Sequence, residues 1–328
     1  MYRYDWYHWI TFFYIYCFFG WIFESTYVSL KKRHFVNRGF LRLPMLPLYG
    51  TGAVMMLWVS LPVKDNLFLV YLFGVIAATA LEYVTGYVME QLFKMKYWDY
   101  SSQRLQINGY ICLTSSIAWG FLTIFLTEII HQPVASLVLA LNPVAEYTLL
   151  AVVTCFFGAD VIQSTKEALA LGKVLEAMTN IKTELEEMQV QLALFKAEAT
   201  QKADDLREKA ENFKDDARLQ IQTLTNDARL RTEYLKNELK QATSRHAAIL
   251  REEAATHLSL EPGRELSSLS ERIRFLTERQ QQLRETRLKL SSHMSFYRKG
   301  LLKGNPSASS GKFAEALKEL REILEKED

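Results

Sequence analysis

Long apolar segments constrain this chain more than any other feature. Residues 43–63 contain no charged side chain, and four further stretches of similar length contain at most two each. About 20 consecutive apolar residues are needed for a helix to cross the hydrocarbon core of a bilayer. The pattern predicts an all-α, polytopic membrane bundle of about five transmembrane helices, within residues 6–30, 43–63, 67–93, 105–127 and 144–165. We expect the fourth helix to begin near Gly109, and residues 134–141 to form a short interfacial or re-entrant helix.

The charges divide the chain into two unlike halves. Residues 1–165 carry 10 Lys+Arg and 9 Asp+Glu, whereas residues 166–328 carry 29 and 28. This division excludes a single globular domain and a basic nucleic-acid-binding domain, so no nucleic-acid partner is expected. It predicts a transmembrane domain over 1–165 in contact with membrane lipids, followed by a soluble half. The three cysteines, at 17, 112 and 155, all fall in predicted spans and are interpreted as small packing residues.

The basic residues of the connecting loops predict the orientation. Eight Lys and Arg side chains lie in the loops that follow the first and third predicted spans. Only two others occur in residues 1–165, one at the N-terminus and one in the second loop. Cytoplasmic loops of membrane proteins are enriched in Lys and Arg. We therefore expect a multi-pass protein of the cell's inner (cytoplasmic) membrane, with its N-terminus outside and its C-terminal half in the cytoplasm.

Polar side chains inside the predicted spans form a candidate binding cluster. Acidic residues within a membrane are costly and usually mark pathways or paired sites. In the predicted orientation, four carboxylates and three hydroxyls reach one depth near the cytoplasm: Glu24, Glu82, Glu90, Asp160, Thr114, Ser115 and Ser116. They could line a cavity open to the cytoplasm. Alternatively, Glu90 and Asp160 are simply solvated at the interface, and Glu24 or Glu82 forms an internal ion pair with Arg38 or Arg42 that only fixes the helices together.

The charged half predicts a cytoplasmic coiled-coil rod over residues 166–303. No proline occurs between Pro143 and Pro262, and apolar residues recur every three or four positions. This spacing favours a coiled coil over 174–260, a turn at 260–263 and a return helix over 264–298. An apolar stripe of this length must pair with itself, with the return helix or with another chain. Self-association into a homo-oligomer is predicted, anchored by five large side chains: Leu185, Leu192, Phe195, Leu206 and Phe213.

Two further segments complete the chain. Residues 304–311 are rich in Gly, Ser and Pro and are predicted to be a flexible linker. Residues 312–328 have the spacing of an amphipathic helix, which either stays solvated or docks onto the rod or a partner. The six histidines lack metal-ligand spacing and are expected to be surface residues, including His246, His257 and His293 in the rod.

Seven short motifs along the membrane half resemble a known family. They stand in the order Gly20-Trp21-x-x-Glu24, Asn37-Arg38-Gly39-Phe40-Leu41, Pro47-Leu48-Tyr49-Gly50, Glu82-Tyr83-x-Thr85-Gly86, Trp98-Asp99-Tyr100-Ser101, Asn108-Gly109 and Trp119-Gly120. This order is similar to that of the bacterial ABC-transporter type IV permeases, over about residues 6–165. The chain departs from the family at two places. Leu43-Pro44 stands where Gly-Pro is usual, and Tyr110 where Arg is common, so an ion pair made by that Arg would be lost or rearranged here.

The resemblance implies a transport subunit that works with a separate ATPase. The chain itself lacks a Gly-x-x-x-x-Gly-Lys-Ser/Thr phosphate loop. Neither half shows a readable arrangement of catalytic residues, and no cofactor or metal is expected. Three functions remain open: a permease subunit with a coiled-coil coupling stalk, a membrane-anchored scaffold or sensor without transport, and a membrane enzyme that uses Glu24 and Glu82 on a lipid-borne substrate.

Overall fold

A computed structural model describes residues 4–230, 244–245, 248–249, 252, 262–292 and 294–327 of the chain. The chain forms two compact units, one of residues 1–180 with 289–328, here called the membrane unit, and one of residues 181–288, here called the rod unit. This division differs from the predicted boundary at 165/166. The first turns of the predicted rod and the whole C-terminal segment belong with the membrane helices.

Of the residues that the structure describes, 82% are helical and 2% lie in strands. The helices are α1 (Trp6–Lys32), α2 (Pro47–Ser60, extended by a 3-10 turn Leu61–Val63), α3 (Leu67–Phe93), α4 (Leu113–Phe125), α5 (His131–Leu139), α6 (Pro143–Leu230), α7 (Pro262–Ser292), α8 (Phe296–Gly304) and α9 (Ala314–Glu327). The uninterrupted course of α6 confirms that the fifth predicted span continues into a long helix. The part of the predicted coiled coil beyond residue 230, and most of the turn at 260–263, lie outside the described residues.

Within the described residues, three helical segments are long and apolar enough to cross a membrane: Leu67–Phe93, Leu113–Leu139 and Pro143–Leu224. Large apolar side chains lie on their outer surfaces, for example Phe68 at 70% and Phe121 at 63% exposed. Such surfaces are covered by lipid in a membrane protein. The remaining two predicted spans stay predictions. The helix Pro47–Val63 is apolar but shorter, and α1 is rich in aromatic residues.

The fourth span differs from its prediction at both ends. Residues 106–112 form a two-strand hairpin, β1 (Gln106–Ile107) and β2 (Ile111–Cys112), so the helix begins at Leu113 rather than near Gly109. Asn108 and Gly109 both adopt positive φ, at 52° and 74°, which an Asn-Gly hairpin turn requires. At the other end, a π-helical turn, Leu126–Ile130, joins α4 to α5. The predicted interfacial helix at 134–141 is therefore the continuation of this span.

Pro133 explains why that continuity was not recognised. A proline inside a helix removes a backbone donor and crowds the preceding turn. The adjacent π-helical turn widens the helix and is a common place for such a disruption to be absorbed. Ala135 and Val138 of α5 then pack in a core with Phe12, Leu57 and Ala78, so that α5 belongs to the bundle.

The C-terminal segment packs onto the base of the membrane unit. Leu317 and Leu320 of α9 are buried in one core with Leu171, Leu175 and Met178 of α6. This core shows that the amphipathic C-terminal helix docks within its own chain, on the part of α6 around Leu171 to Met178. The segment predicted as a flexible linker is also packed. The backbones of Lys96 and Ser309 exchange two hydrogen bonds of 2.8 and 2.9 Å, and Ala308 is 3% exposed.

In the rod unit, α6 and α7 run antiparallel and pair with each other. Leu185 and Met188 of α6 are buried against Leu283 of α7. Salt bridges join Arg279 to Glu184 at 3.4 Å and Lys202 to Glu265 at 3.0 Å, in the same register. Of the predicted anchors, Leu185 is therefore used inside the chain. The other four, Leu192, Phe195, Leu206 and Phe213, are half-buried.

Candidate functional site

A cavity of about 540 Å³ lies inside the membrane unit. Aromatic residues from α1, α2, α3, α4, α6 and the loops that follow α1 and α3, here called the first and second inner loops, form much of its wall. They are Phe13, Phe40, Tyr49, Phe93, Tyr97, Trp98, Tyr100, Trp119 and Phe157. Three charged side chains reach this aromatic chamber: Glu24, Arg38 and Glu82. A chamber of this size and composition can hold a small organic molecule.

Glu24 and Arg38 form an ion pair at one side of the cavity. The Arg38 Nε lies 3.6 Å from the Glu24 carboxylate, and the Tyr49 hydroxyl donates to the same carboxylate at 2.6 Å. α1 and α2 approach so closely here that a Cβ on Gly20 would overlap the Tyr49 side chain. This confirms the predicted pairing of Glu24 with Arg38.

Glu82 lies on α3 and is satisfied without a cation. Its side chain is 4% exposed and accepts hydrogen bonds from Tyr100 Oη at 3.0 Å, Trp119 Nε1 at 2.9 Å and Ser115 Oγ at 3.4 Å. The prediction that Glu82 pairs with an inner-loop arginine is wrong. Three uncharged donors bind its carboxylate, and no basic side chain pairs with it within the described residues.

The other two acids belong to loop-anchoring contacts outside the cavity lining. Asp160 is 6% exposed and accepts from the backbone amides of Arg42 and Leu43 at 2.9 and 2.8 Å, so it is not simply solvated. Glu90 accepts from the Tyr110 hydroxyl at 2.5 Å and lies 3.9 Å from Lys96 Nζ. The Tyr110 hydroxyl and the Lys96 ammonium therefore both lie next to the Glu90 carboxylate. Burial and the hydrogen bond to Glu90 raise the pKa of Tyr110 to about 12.

The predicted hydroxyls divide in the same way. Ser115 reaches Glu82, whereas Ser116 accepts from Thr79 at 3.0 Å and Thr114 points outward as an exposed residue. Ser115 and Ser116 both contact α3, but only Ser115 reaches one of the acids there.

The remaining motif residues shape the loops that carry the site. Trp21 Nε1 donates to Asn37 at 2.6 Å, and Asn37 donates to the Arg42 carbonyl at 2.9 Å, which holds the first inner loop against α1. Pro47 starts α2, and Gly50 packs its backbone on α1. In the second inner loop, Trp98 donates to the Tyr110 carbonyl and Asn108 to the Tyr83 hydroxyl.

Asn305, from the segment predicted as a linker, completes the cavity wall. Its amide accepts from Arg38 Nη1 at 2.6 Å and donates to the Gly39 carbonyl at 2.9 Å. Gly39 has φ of 127°, a conformation that favours glycine and turns its carbonyl toward Asn305. Sequence reasoning missed this residue because its Gly- and Ser-rich surroundings resemble a linker. The only signal was an isolated Asn-Pro pair.

A second buried polar cluster was also missed. Glu146 is 2% exposed and accepts from Thr11 at 2.6 Å, with His8 at 3.7 Å. His131 is 3% exposed and bonds the Tyr16 hydroxyl at 2.9 Å. The prediction that the histidines are surface residues is therefore wrong for His8 and His131, which are both buried. His246, His257 and His293 lie outside the described residues. No group of three or more His, Cys, Asp or Glu that could hold a metal occurs in the described part of the chain.

The apolar helices and the internal chamber define a membrane protein with a built, solute-sized cavity. Residues 11–165, just under half of the chain, match the family described as "Putative ABC-transporter type IV". Neither a curated protein nor a solved structure matches the chain. The matched segment supplies Glu24, Arg38, Tyr49, Glu82 and Trp119, so motifs that are distant in sequence meet in one chamber.

Proposed function

We propose that the chain is the membrane subunit of an ABC-type transporter and that the cavity is its solute-binding site. The observation that carries this proposal is the convergence of Glu24, Arg38, Glu82 and Trp119 on one aromatic chamber in the segment that matches the family. Without a phosphate loop in the sequence, ATP hydrolysis is assigned to a separate ATPase subunit.

The chamber favours a cationic solute with an aromatic or apolar body. Glu24 is balanced by Arg38, whereas Glu82 accepts hydrogen bonds from uncharged donors and has no basic partner within the described residues. The faces of Trp and Tyr rings attract cations, and desolvation strengthens that attraction. A cation that enters the chamber would therefore be attracted by Glu82 and by the aromatic wall together.

Access to the chamber is assigned to its cytoplasmic side. Asn305 and the loop around it cover Arg38 and Gly39, so release of this loop would open the chamber toward the base of the membrane unit. We assign the rod unit to coupling with a cytoplasmic partner.

Binding of tetraphenylphosphonium, an aromatic monocation, tests the proposal. Purified full-length protein should show quenching of tryptophan fluorescence on titration, because Trp98 and Trp119 line the chamber. Glu82→Gln should weaken binding at least tenfold, the equivalent of about 1.4 kcal/mol. Glu128→Gln changes a glutamate of the same helical bundle outside the chamber and is the matched control. Equal binding by the wild type and Glu82→Gln would refute the solute site.

We further propose that the rod unit self-associates. Val190 and Leu194 of α6 are 62% and 64% exposed, and Phe275 of α7 is 68% exposed, although the two helices already pair with each other. Exposed apolar side chains on a paired helix favour contact with a second copy. Cysteines at Leu194 in the full-length protein should cross-link two chains, whereas cysteines at the solvated position Arg207 should not. A single-chain mass for the purified wild type by light scattering would contradict this proposal.

A further inference from the structure

A second cleft, of about 720 Å³, lies between the end of α1, the first inner loop, α8 and α9. It shares no lining residue with the aromatic chamber. Basic residues predominate among its lining side chains: Lys32, Arg42, Lys299, Lys303 and Arg321, with His34, against the single acid Glu325. We refer to it as the basic cleft. A strongly basic concave surface binds anions.

The two arginines of the basic cleft are positioned by the fold. The Arg42 guanidinium lies 4.2 Å from the centre of the Phe296 ring and against Gly300, where a Cβ would overlap it. Arg321 donates to the carbonyls of Asn305 and Ala308 at 3.1 and 2.8 Å. These contacts hold both guanidinium groups at the cleft.

Both arginines also have a buried donor without a partner. The Nε atoms of Arg42 and Arg321 are buried and have no hydrogen-bond acceptor among the described residues. Burial lowers the pKa of Arg321, although the nearby Glu325 acts in the opposite direction. Buried polar atoms in native proteins are nearly always satisfied, so two such donors at one cleft indicate a missing acceptor.

The position of the basic cleft identifies the source of that acceptor. The cleft begins at the last residue of α1, and Phe35 and Phe296 at its edges are 73% and 69% exposed. The sequence predicts that α1 spans the membrane, and the end of a spanning helix lies at the level of the lipid headgroups. Guanidinium forks match the geometry of phosphate oxygens, and basic clusters next to the cytoplasmic leaflet bind anionic lipids.

We infer that the basic cleft binds the phosphate headgroup of an anionic phospholipid. Arg42 and Arg321 face the phosphate, and Lys32 and Lys303 add attraction at the edges. The inference does not depend on transport by the aromatic chamber.

Isothermal titration of the detergent-purified full chain with dioctanoyl phosphatidylglycerol tests this inference. Phosphatidylglycerol should bind, and the matched phosphatidylcholine should not. Lys32→Gln with Lys303→Gln should weaken binding about 30-fold, since each lysine near a lipid surface accounts for about a fivefold factor. Lys31→Gln with Lys312→Gln removes the same charge from exposed positions outside the cleft and should leave binding unchanged.

Three results would overturn the inference. Equal binding of the two lipids would exclude headgroup recognition. An equal loss in the Lys31/Lys312 control would reduce the effect to general surface charge. Competition by inorganic phosphate, with no preference between the lipids, would assign the cleft to a soluble phosphate ligand.

Gly300→Ala keeps every charge but displaces the Arg42 guanidinium, so unchanged affinity in that variant would also contradict the assigned contact.

Discussion

Glu82 illustrates how individual side chains hold the chamber together. Its carboxylate accepts from Trp119 and Tyr100, and both donors lie at the inner surface of the bundle. Glu82→Ala should lower the free energy of unfolding by about 1–3 kcal/mol for each donor left without an acceptor. Glu82→Gln keeps one acceptor oxygen and should cost less. Thermal unfolding in detergent measures both, with Glu128→Ala as the control. Wild-type stability in Glu82→Ala would show that water replaces the carboxylate.

A second residue-scale prediction concerns Asp99, in the second inner loop. Burial raises its pKa, but hydrogen bonds from Ser101 and Ser309 and the charge of Lys96 outweigh that effect and lower the pKa below its ordinary value. A carboxylate whose pKa is depressed by folding stabilises the folded state above its unfolded pKa of about 3.9, and the contribution is lost as the pH falls through the folded value.

Hydrogen exchange around Ser309 measures this effect. Protection of residues 305–311 should fall as the pH drops below about 4 in the wild type, because Ser309 then loses its charged acceptor. Asp99→Asn should exchange faster at neutral pH and lose this pH dependence. An acid-induced loss of protection that persists unchanged in Asp99→Asn would assign it to other groups.

At the scale of elements, docking of α9 depends on a small apolar core. Leu320 is fully buried against Leu171 and Leu175 of α6. Leu320→Ala should destabilise the docked helix by about 2–5 kcal/mol, the usual cost of a large-to-small change in a packed core. Limited proteolysis should then cleave the C-terminal segment of the full-length protein much faster than in the wild type. Lys318→Ala changes an exposed side chain of the same helix and should have no effect. Equal cleavage of all three proteins would show that α9 does not depend on this core.

At the scale of the whole molecule, the distribution of basic residues predicts the orientation. The last turn of α1 and the loops that follow α1 and α3 together carry eight of the ten Lys and Arg residues in residues 1–165. The C-terminal segment packs on these same loops, so both should lie in the cytoplasm. In intact cells, an impermeant maleimide should label a cysteine at Lys64 and should not label one at the exposed position Lys312. Labelling of the cysteine at Lys312 would contradict the predicted orientation and indicate the opposite one.

Amino-acid order alone determined the membrane character, the long α6 helix and the family of residues 11–165. These properties depend on the length of apolar runs, the absence of proline and short local motifs, all of which are readable one segment at a time. The pairing of Glu24 with Arg38 was also predictable, because an acid within a membrane segment needs a nearby partner.

Only the tertiary structure decided which polar residues meet. Glu82 finds three uncharged donors on the second inner loop and α4, and Asn305 reaches the chamber from a position 180 residues beyond the end of α4. Contacts between distant segments depend on how helices pack and on which face each one turns inward, and no local pattern encodes them. The segment 304–311 has the composition of a linker, but α9 packs on α6 and Asn305 lies in the chamber wall. Neither contact can be read from the local sequence, for the same reason.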